Sequence, residues 1–109
     1  MEPGPDFAVT RRRVGDAVVV VPEGEIDLAT VDQVGREVTA AHAESDGQIV
    51  LDLREIRFMD STGIRLVVQL ARDLEGRFAV VRGGGEVARV FDLVGLDGRV
   101  RMLDAPPEG

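Results

Sequence analysis

The alternation of short apolar runs with segments of helical spacing most constrains what this chain can fold into. Runs that predict strands fall at residues 7–13, 17–21, 49–53 and 78–81, and a less regular run follows at 100–103. Most of these runs are apolar at consecutive positions, which is typical of strands that are covered on both faces. A tight turn at Gly15-Asp16 predicts a hairpin of the first two strands, and Pro22-Glu23-Gly24 is expected to end the second.

Three further segments place apolar residues three or four positions apart and therefore predict helices. The first begins at Thr30, which fits a capping box together with Gln33. The second begins at Ser61, and the third contains Val87 and is expected to end at Gly95. Strands and helices in this order predict an α/β fold with a mixed, mostly parallel sheet of four to five strands and three to four helices.

The length of 109 residues fits one domain. We expect a flexible lead-in at residues 1–6, which carry two prolines and a glycine, then a folded domain at 7–104 and a flexible tail at 105–109. No apolar run approaches the roughly 20 residues that span a bilayer, and no secretory signal is visible at the N-terminus. A cytoplasmic protein with no membrane partner is therefore expected.

Charge and cysteine content argue against several function classes. Thirteen basic against twenty acidic side chains leave a net charge of −7, whereas nucleic-acid binders usually carry a basic surface. The one cationic cluster, Arg11-Arg12-Arg13, predicts a solvated strand, with a partner-facing patch as the alternative. No nucleic-acid partner is expected. The absence of cysteine excludes disulfides, thiol catalysis and cysteine-ligated zinc.

The segment Asp60-Ser61-Thr62-Gly63 is the most informative part of the chain, since it places polar residues directly before an apolar helix. Aspartate and serine are both good N-cap residues, so simple capping is one interpretation. The other starts from the same geometry, because a hydroxyl there lies near free backbone N–H groups and the positive end of the helix dipole. A phosphate would be tolerated by the fold and would add about −1.5 to −2 charge. That suits a switch of binding that leaves the domain folded.

A second polar segment, GEID at residues 24–27, follows the second strand. Loops at the carboxyl ends of neighbouring strands form one surface in an open α/β sheet, so we expect Asp27 beside Asp60 and Ser61. Asp27 alone has the simpler interpretation of a turn residue. Two carboxylates near one serine could bind a metal, support acid–base chemistry, or orient the hydroxyl for a partner's active site.

Four segments in order identify a family resemblance. They are GEID at 24–27, VLDL at 50–53, FMDSTG at 58–63 and VFDLVGL at 90–96. With them the chain resembles the STAS-domain family of anti-sigma factor antagonists, from about residue 7 to residue 103. The resemblance implies a single STAS domain of the α/β class described above.

The resemblance also implies a mechanism. The unphosphorylated protein would bind an anti-sigma factor that is also a serine kinase, which frees the sigma factor. The kinase would phosphorylate Ser61, and a serine phosphatase would restore the active form. The protein would be a kinase substrate and not an enzyme, with no cofactor and no metal. The implied partner-binding residues are Glu25, Asp27, Asp60, Ser61, Thr62, Gly63, Arg65 and Leu66.

Two positions beside the serine leave alternatives open, and a third departs from the family. Thr62 carries a second hydroxyl and stays open as a minor phosphoacceptor. Leu66 lies at the edge of a wide apolar arc, where it is either partly buried in the core or a partner contact. Arg65 stands where a second glycine often follows in the family. The change is expected to leave phosphorylation intact and to alter which partner fits.

Other features favour competing functions more weakly. GGGEVA at residues 83–88 matches G-x-G-x-x-A, with Asp104 near the distance of a ribose-binding acid, but no βαβ unit follows. His42, the sole histidine, falls late in the first helix, away from the position expected for a base beside Ser61. The remaining alternative is a STAS scaffold component of a larger stress-signalling assembly.

Overall fold

The computed structural model describes residues 7–108, apart from the side chain of Asp97. The predicted lead-in at 1–6 lies outside the described residues. The described part contains five strands, three α-helices and a short 3₁₀ turn. In chain order these are β1 (Ala8–Val14), β2 (Ala17–Ile26), α1 (Val31–Glu44), β3 (Ile49–Asp52), β4 (Ile56–Met59), α2 (Ser61–Asp73), β5 (Phe78–Val81), α3 (Gly85–Val94) and the turn Leu96–Gly98.

The strands form a mixed sheet in the order β1-β2-β3-β5, and β4 also pairs with β2. β1 runs antiparallel to β2 as the predicted hairpin, whereas the pairings of β2 with β3, β2 with β4 and β3 with β5 are parallel. The prediction of an α/β fold with a mixed, mostly parallel sheet is therefore confirmed, with five strands and three helices in the described part.

The predicted end of the second strand at Pro22-Glu23-Gly24 is wrong, because β2 continues to Ile26. Its first half pairs with β3 through residues 18–20, and its second half pairs with β4 from Gly24 onward. Pro22 lies between these two stretches, so neither parallel ladder needs the N–H that proline lacks. Gly24 has a φ of 121° next to a register shift, which is the backbone freedom that a bulge requires.

Two further strand predictions need correction. The short strand β4 was not predicted, since its Ile-Arg-Phe-Met sequence has two exposed residues between two buried ones and no clear alternation. The final strand expected at 100–103 is reduced to one parallel bridge between Val80 and Met102, beside which the N–H of Leu103 donates to the carbonyl of Val80 at 2.9 Å.

The core lies on both faces of the sheet, as the consecutive apolar positions predict. Val18 and Val20 pack with the helices, whereas Val19 points to the other face and packs with Val50 and Val81. The tail predicted from residue 105 has no regular secondary structure up to residue 108, but Pro106 within it is buried.

Candidate functional site

The carboxyl ends of β2 and β4 meet at one edge of the sheet. Ile26 and Met59 are paired in parallel register, so the next residues, Asp27 and Asp60, emerge side by side. The backbone N–H of Asp60 donates to the carbonyl oxygen of Ile26 at 3.1 Å, which ties the two loops together. Ser61 begins α2 directly after Asp60, so this edge brings both aspartates to the serine.

Asp60 is the N-cap of α2. Its Oδ1 accepts the backbone N–H of Thr62 at 2.9 Å, and the Thr62 hydroxyl donates to the same oxygen. This hydroxyl donor is the main reason that the pKa of Asp60 lies below its ordinary value of 3.8. Asp60 is therefore a carboxylate at neutral pH, and its Oδ1 is already occupied by the hydrogen bonds that cap α2.

Ser61 and Thr62 are adjacent hydroxyls with different surroundings. Ser61 is exposed, and its hydroxyl forms no hydrogen bond with any other residue between 7 and 108. Thr62 is half-buried, and its hydroxyl is engaged by Asp60. The serine is consequently the hydroxyl that is accessible for reaction.

The loop that carries Asp27 is fixed by its own hydrogen bonds. Asp27 Oδ1 accepts the backbone N–H of Ala29 at 2.9 Å, in a turn closed by an aspartate side chain. The Thr30 hydroxyl accepts the N–H of Asp27 at 3.0 Å and donates to the carbonyl of Glu25 at 2.8 Å. Thr30 is the N-cap of α1, but its side chain forms no capping bond. The predicted capping box with Gln33 is therefore wrong, because the hydroxyl turns back to the loop instead.

Gly63 lets α2 pack closely on the ends of β4 and β2. A Cβ atom at this buried position would lie 2.3 Å from Met59 Cγ and 2.9 Å from Ile26 Cγ2. Real Cβ atoms do not approach so closely, so only glycine fits without displacement. The sequence predicted Gly63 as a partner contact, whereas the structure gives it a packing role that the sequence did not indicate.

The remaining predicted partner-binding residues differ in how far their side chains are exposed. Glu25 is exposed and forms an ion pair with Arg57 at 3.8 Å. Arg65 is exposed on α2. Leu66 is half-buried, packs against the core, and also lines a groove between α1 and α2. The partly buried position that was one interpretation of Leu66 is therefore present, and its role as a partner contact stays a prediction.

Leu28 is a surface residue of this region that the sequence analysis missed. It lies directly after Asp27, and its side chain is 79% exposed even though it is large and apolar. It lines the same groove as Thr62 and Leu66. A detectable signal exists, since Leu28 is a large apolar residue outside the helical spacing of α1 and inside a polar loop.

The position of His42 and the placement of possible metal ligands bear on the competing functions. His42 lies in the last turn of α1, whereas Ser61 is at the first residue of α2. Between residues 7 and 108, no group of histidine and acidic side chains is arranged to hold a metal ion. Among the described helices, none has the length and apolar character needed to cross a bilayer.

The fold and the site together define a class of protein. It is a small α/β domain that presents an accessible serine at the start of a helix, next to two aspartates on neighbouring strand ends. The chain belongs to the STAS domain family, whose profile matches residues 8–106.

Individual relatives agree with this family. An anti-sigma F factor antagonist of Lysinibacillus sphaericus is 32% identical over 97 residues, which cover 85% of this chain and 81% of the relative. The crystal structure of an anti-sigma factor antagonist from Mycobacterium paratuberculosis matches with a TM-score of 0.84 at 27% identity, over 94% of this chain and 90% of that chain.

The Bacillus cell fate determinant SpoIIAA has been solved in two forms. The phosphorylated form matches with a TM-score of 0.67 at 29% identity, over 91% of this chain and 92% of that chain. The unphosphorylated form, which is described as an anti-sigma factor antagonist, matches with a TM-score of 0.72 at 28% identity, over 91% and 89% respectively.

Proposed function

We propose that this chain is an anti-sigma factor antagonist that is switched by phosphorylation of Ser61. The observation that carries the proposal is the contrast between the free, exposed hydroxyl of Ser61 and the engaged hydroxyl of Thr62. The similarity to SpoIIAA, which exists in phosphorylated and unphosphorylated forms, supports it. The cytoplasmic location expected from the sequence belongs to the same proposal.

In the active state, the unphosphorylated surface binds an anti-sigma factor that is also a serine kinase. This surface comprises the serine and its neighbours on both loops and on α2, namely Glu25, Asp27, Asp60, Ser61, Thr62, Gly63, Arg65 and Leu66. Gly63 contributes only through the close packing that it permits. Binding removes the anti-sigma factor from its sigma factor.

Phosphorylation ends this state. The kinase transfers the terminal phosphoryl group of ATP to Ser61 Oγ, so that the bond from this phosphorus to the ADP oxygen breaks and the serine proton is released. The phosphate adds about −1.5 to −2 charge beside Asp27 and Asp60. A partner that closes over this surface must then desolvate three neighbouring anionic groups, which disfavours association. A serine phosphatase restores the hydroxyl. In this scheme the chain is a kinase substrate and supplies no catalytic group.

The test uses the anti-sigma factor captured with the unphosphorylated chain from its own host. The captured protein is expected to transfer phosphate from ATP to the wild-type chain and to the Thr62→Ala variant, but not to Ser61→Ala. Phosphorylation is expected to release the wild-type chain from the complex and to leave Ser61→Ala bound. Retention of the phosphorylated chain, or transfer to Ser61→Ala, would contradict the proposal.

A further inference from the structure

A cation lies on the same helix face as the serine. Arg65 is four residues after Ser61 in α2, and both residues are exposed. Residues four apart on an α-helix are neighbours, with Cβ atoms about 5–6 Å apart. The guanidinium of Arg65 is therefore within side-chain reach of a group attached to Ser61 Oγ.

Within the described residues, Arg65 has no counter-ion in the unphosphorylated chain. It forms no ion pair with any other residue in the described range of 7–108. Its neighbours on the helix at three and four positions, namely Ser61, Thr62, Val68 and Gln69, are all uncharged. A phosphate on Ser61 would thus be its one anionic neighbour at helical spacing within α2.

We propose that Arg65 is the intramolecular counter-ion of phosphorylated Ser61. Because it concerns the phosphorylated serine, this inference rests on the proposed function. A planar guanidinium offers paired N–H donors that match two phosphate oxygens, which gives the pair both strength and direction. The order is also favourable, since the anion lies four residues N-terminal to the cation.

The other charged groups around Ser61 are engaged elsewhere or lie on α1. The carboxylate of Asp60 accepts from Thr62, and that of Asp27 accepts from Ala29. Glu25 is paired with Arg57. From α1, Arg36 and Asp32 line the same groove as Arg65, and Asp73 lines it at the far end of α2. Arg36 is therefore the cation that competes most directly with Arg65 for the phosphate.

The pair has a consequence for regulation. Arg65 neutralises part of the new charge and holds the phosphate along the surface of α2. The switch then acts in two ways, because the phosphate is added and the cation one helical turn along α2 is withdrawn from the partner-facing surface.

Phosphoserine is incorporated at position 61 during translation. The phosphorylated protein is thereby obtained without the kinase or the partner. The pKa of the phosphate is then titrated by phosphorus-31 NMR in the wild type, Arg65→Ala, Arg65→Lys, Arg36→Ala and Arg72→Ala. Arg72→Ala is the matched control, since it removes the same charge from the last turn of the same exposed helix face. Circular dichroism confirms that each variant retains its helices.

A counter-ion stabilises the dianionic phosphate. The phosphate pKa is therefore expected to be roughly 0.2–0.4 units lower in the wild type than in Arg65→Ala. Arg65→Lys should lie between them, Arg72→Ala should match the wild type, and the difference should shrink in 1 M NaCl, where the Debye length is about 3 Å. An equal pKa in the wild type and Arg65→Ala overturns the inference, as does a larger effect of Arg36→Ala or Arg72→Ala. The proposed function is tested separately, by release of the partner.

Discussion

At the scale of single residues, the roles of Asp60 and Ser61 at the start of α2 follow from which of the two side chains caps the helix. Aspartate and serine are both good caps, so the sequence alone left both Asp60 and Ser61 as candidates. The structure assigns the cap to Asp60, because the hydrogen bond from its N–H to Ile26 places it at the strand end and α2 begins one residue later. Because Asp60 caps the helix, the Ser61 hydroxyl stays free. The position of Asp60 depends on the pairing of β2 with β4, which the local sequence around Asp60 does not indicate.

The lowered pKa of Asp60 predicts a pH dependence of stability. A folded pKa below the unfolded value means that the carboxylate stabilises the fold above about pH 4, and that this contribution is lost as pH falls through the lower folded pKa. Asp60→Asn keeps a capping oxygen but does not titrate. Its free energy of unfolding, measured by urea denaturation, is therefore expected to fall less steeply below pH 4 than that of the wild type.

Thr62→Val is the matched variant for this test, since it removes the hydroxyl that lowers the pKa of Asp60. Its acid profile should lie between those of the wild type and Asp60→Asn. Three parallel profiles would show that this hydrogen bond makes no contribution to acid stability.

The exposed side chain of Leu28 predicts a binding defect without a folding defect. Surface substitutions away from special features usually change stability by less than about 0.5 kcal/mol. Leu28→Ala should therefore unfold at the wild-type urea concentration but bind the captured anti-sigma factor more weakly, because an apolar contact in the groove with Thr62 and Leu66 is lost. Leu93→Ala is the control, since Leu93 is 75% exposed but lies near the end of α3. Equal affinity of the wild type and Leu28→Ala would remove Leu28 from the partner surface.

At the scale of elements, the sequence predicts helices better than the strands that carry the site. Helical spacing located all three helices, and Gly95 indeed ends α3 in the left-handed conformation, with a φ of 68°. The continuation of β2 past Pro22 and the short strand β4 were missed, because both depend on pairing between distant segments. These missed strand ends are the ones that bring Asp27 and Asp60 together.

The close approach of α2 to the sheet predicts opposite effects of alanine at two helical glycines. Gly63→Ala would drive a Cβ into the buried side chains of Met59 and Ile26, and overpacking of this kind costs about 1–3 kcal/mol. Gly35 in α1 faces Leu66 Cδ1 at an ordinary 3.5 Å. Gly35→Ala should therefore be stabilising, by up to about 1 kcal/mol of helix propensity.

Urea denaturation of the two variants measures both effects. A Gly63→Ala protein as stable as the wild type would show that α2 does not pack as closely as described. Loss of stability in Gly35→Ala would show that the space beside Leu66 Cδ1 is too small for the added Cβ.

At the scale of the whole molecule, the order of elements was sufficient to predict the fold class. The rule for strand ends also predicted that Asp27 lies beside Asp60, which agrees with the register of β2 and β4. The groove with Leu28 and Leu66 was not predictable, because it depends on how α1 lies against α2. The flexible tail that the composition predicts for the C-terminal segment stays a prediction. Pro106 is buried there, and the segment follows the bridge from Met102 to Val80.

The buried Pro106 predicts that this segment contributes to stability. A chain that ends after Asp104 loses the apolar burial of Pro106, which is expected to cost on the order of 1 kcal/mol. A chain that ends after Pro107 keeps this contact and serves as the control. Urea denaturation should rank the shorter chain below the control and the full chain. Equal midpoints for all three would show that the segment is a flexible tail after all.

The most direct test of the central claim is the intact mass of the protein isolated from its own host, across growth and stress conditions. The wild type and Thr62→Ala are expected to show a form heavier by about 80 Da, the mass of one phosphoryl group of the kind that modifies serine. Ser61→Ala should lack this form under every condition. A wild-type chain that never carries the added mass, or a Ser61→Ala chain that does, would contradict the assignment of Ser61 as the switch.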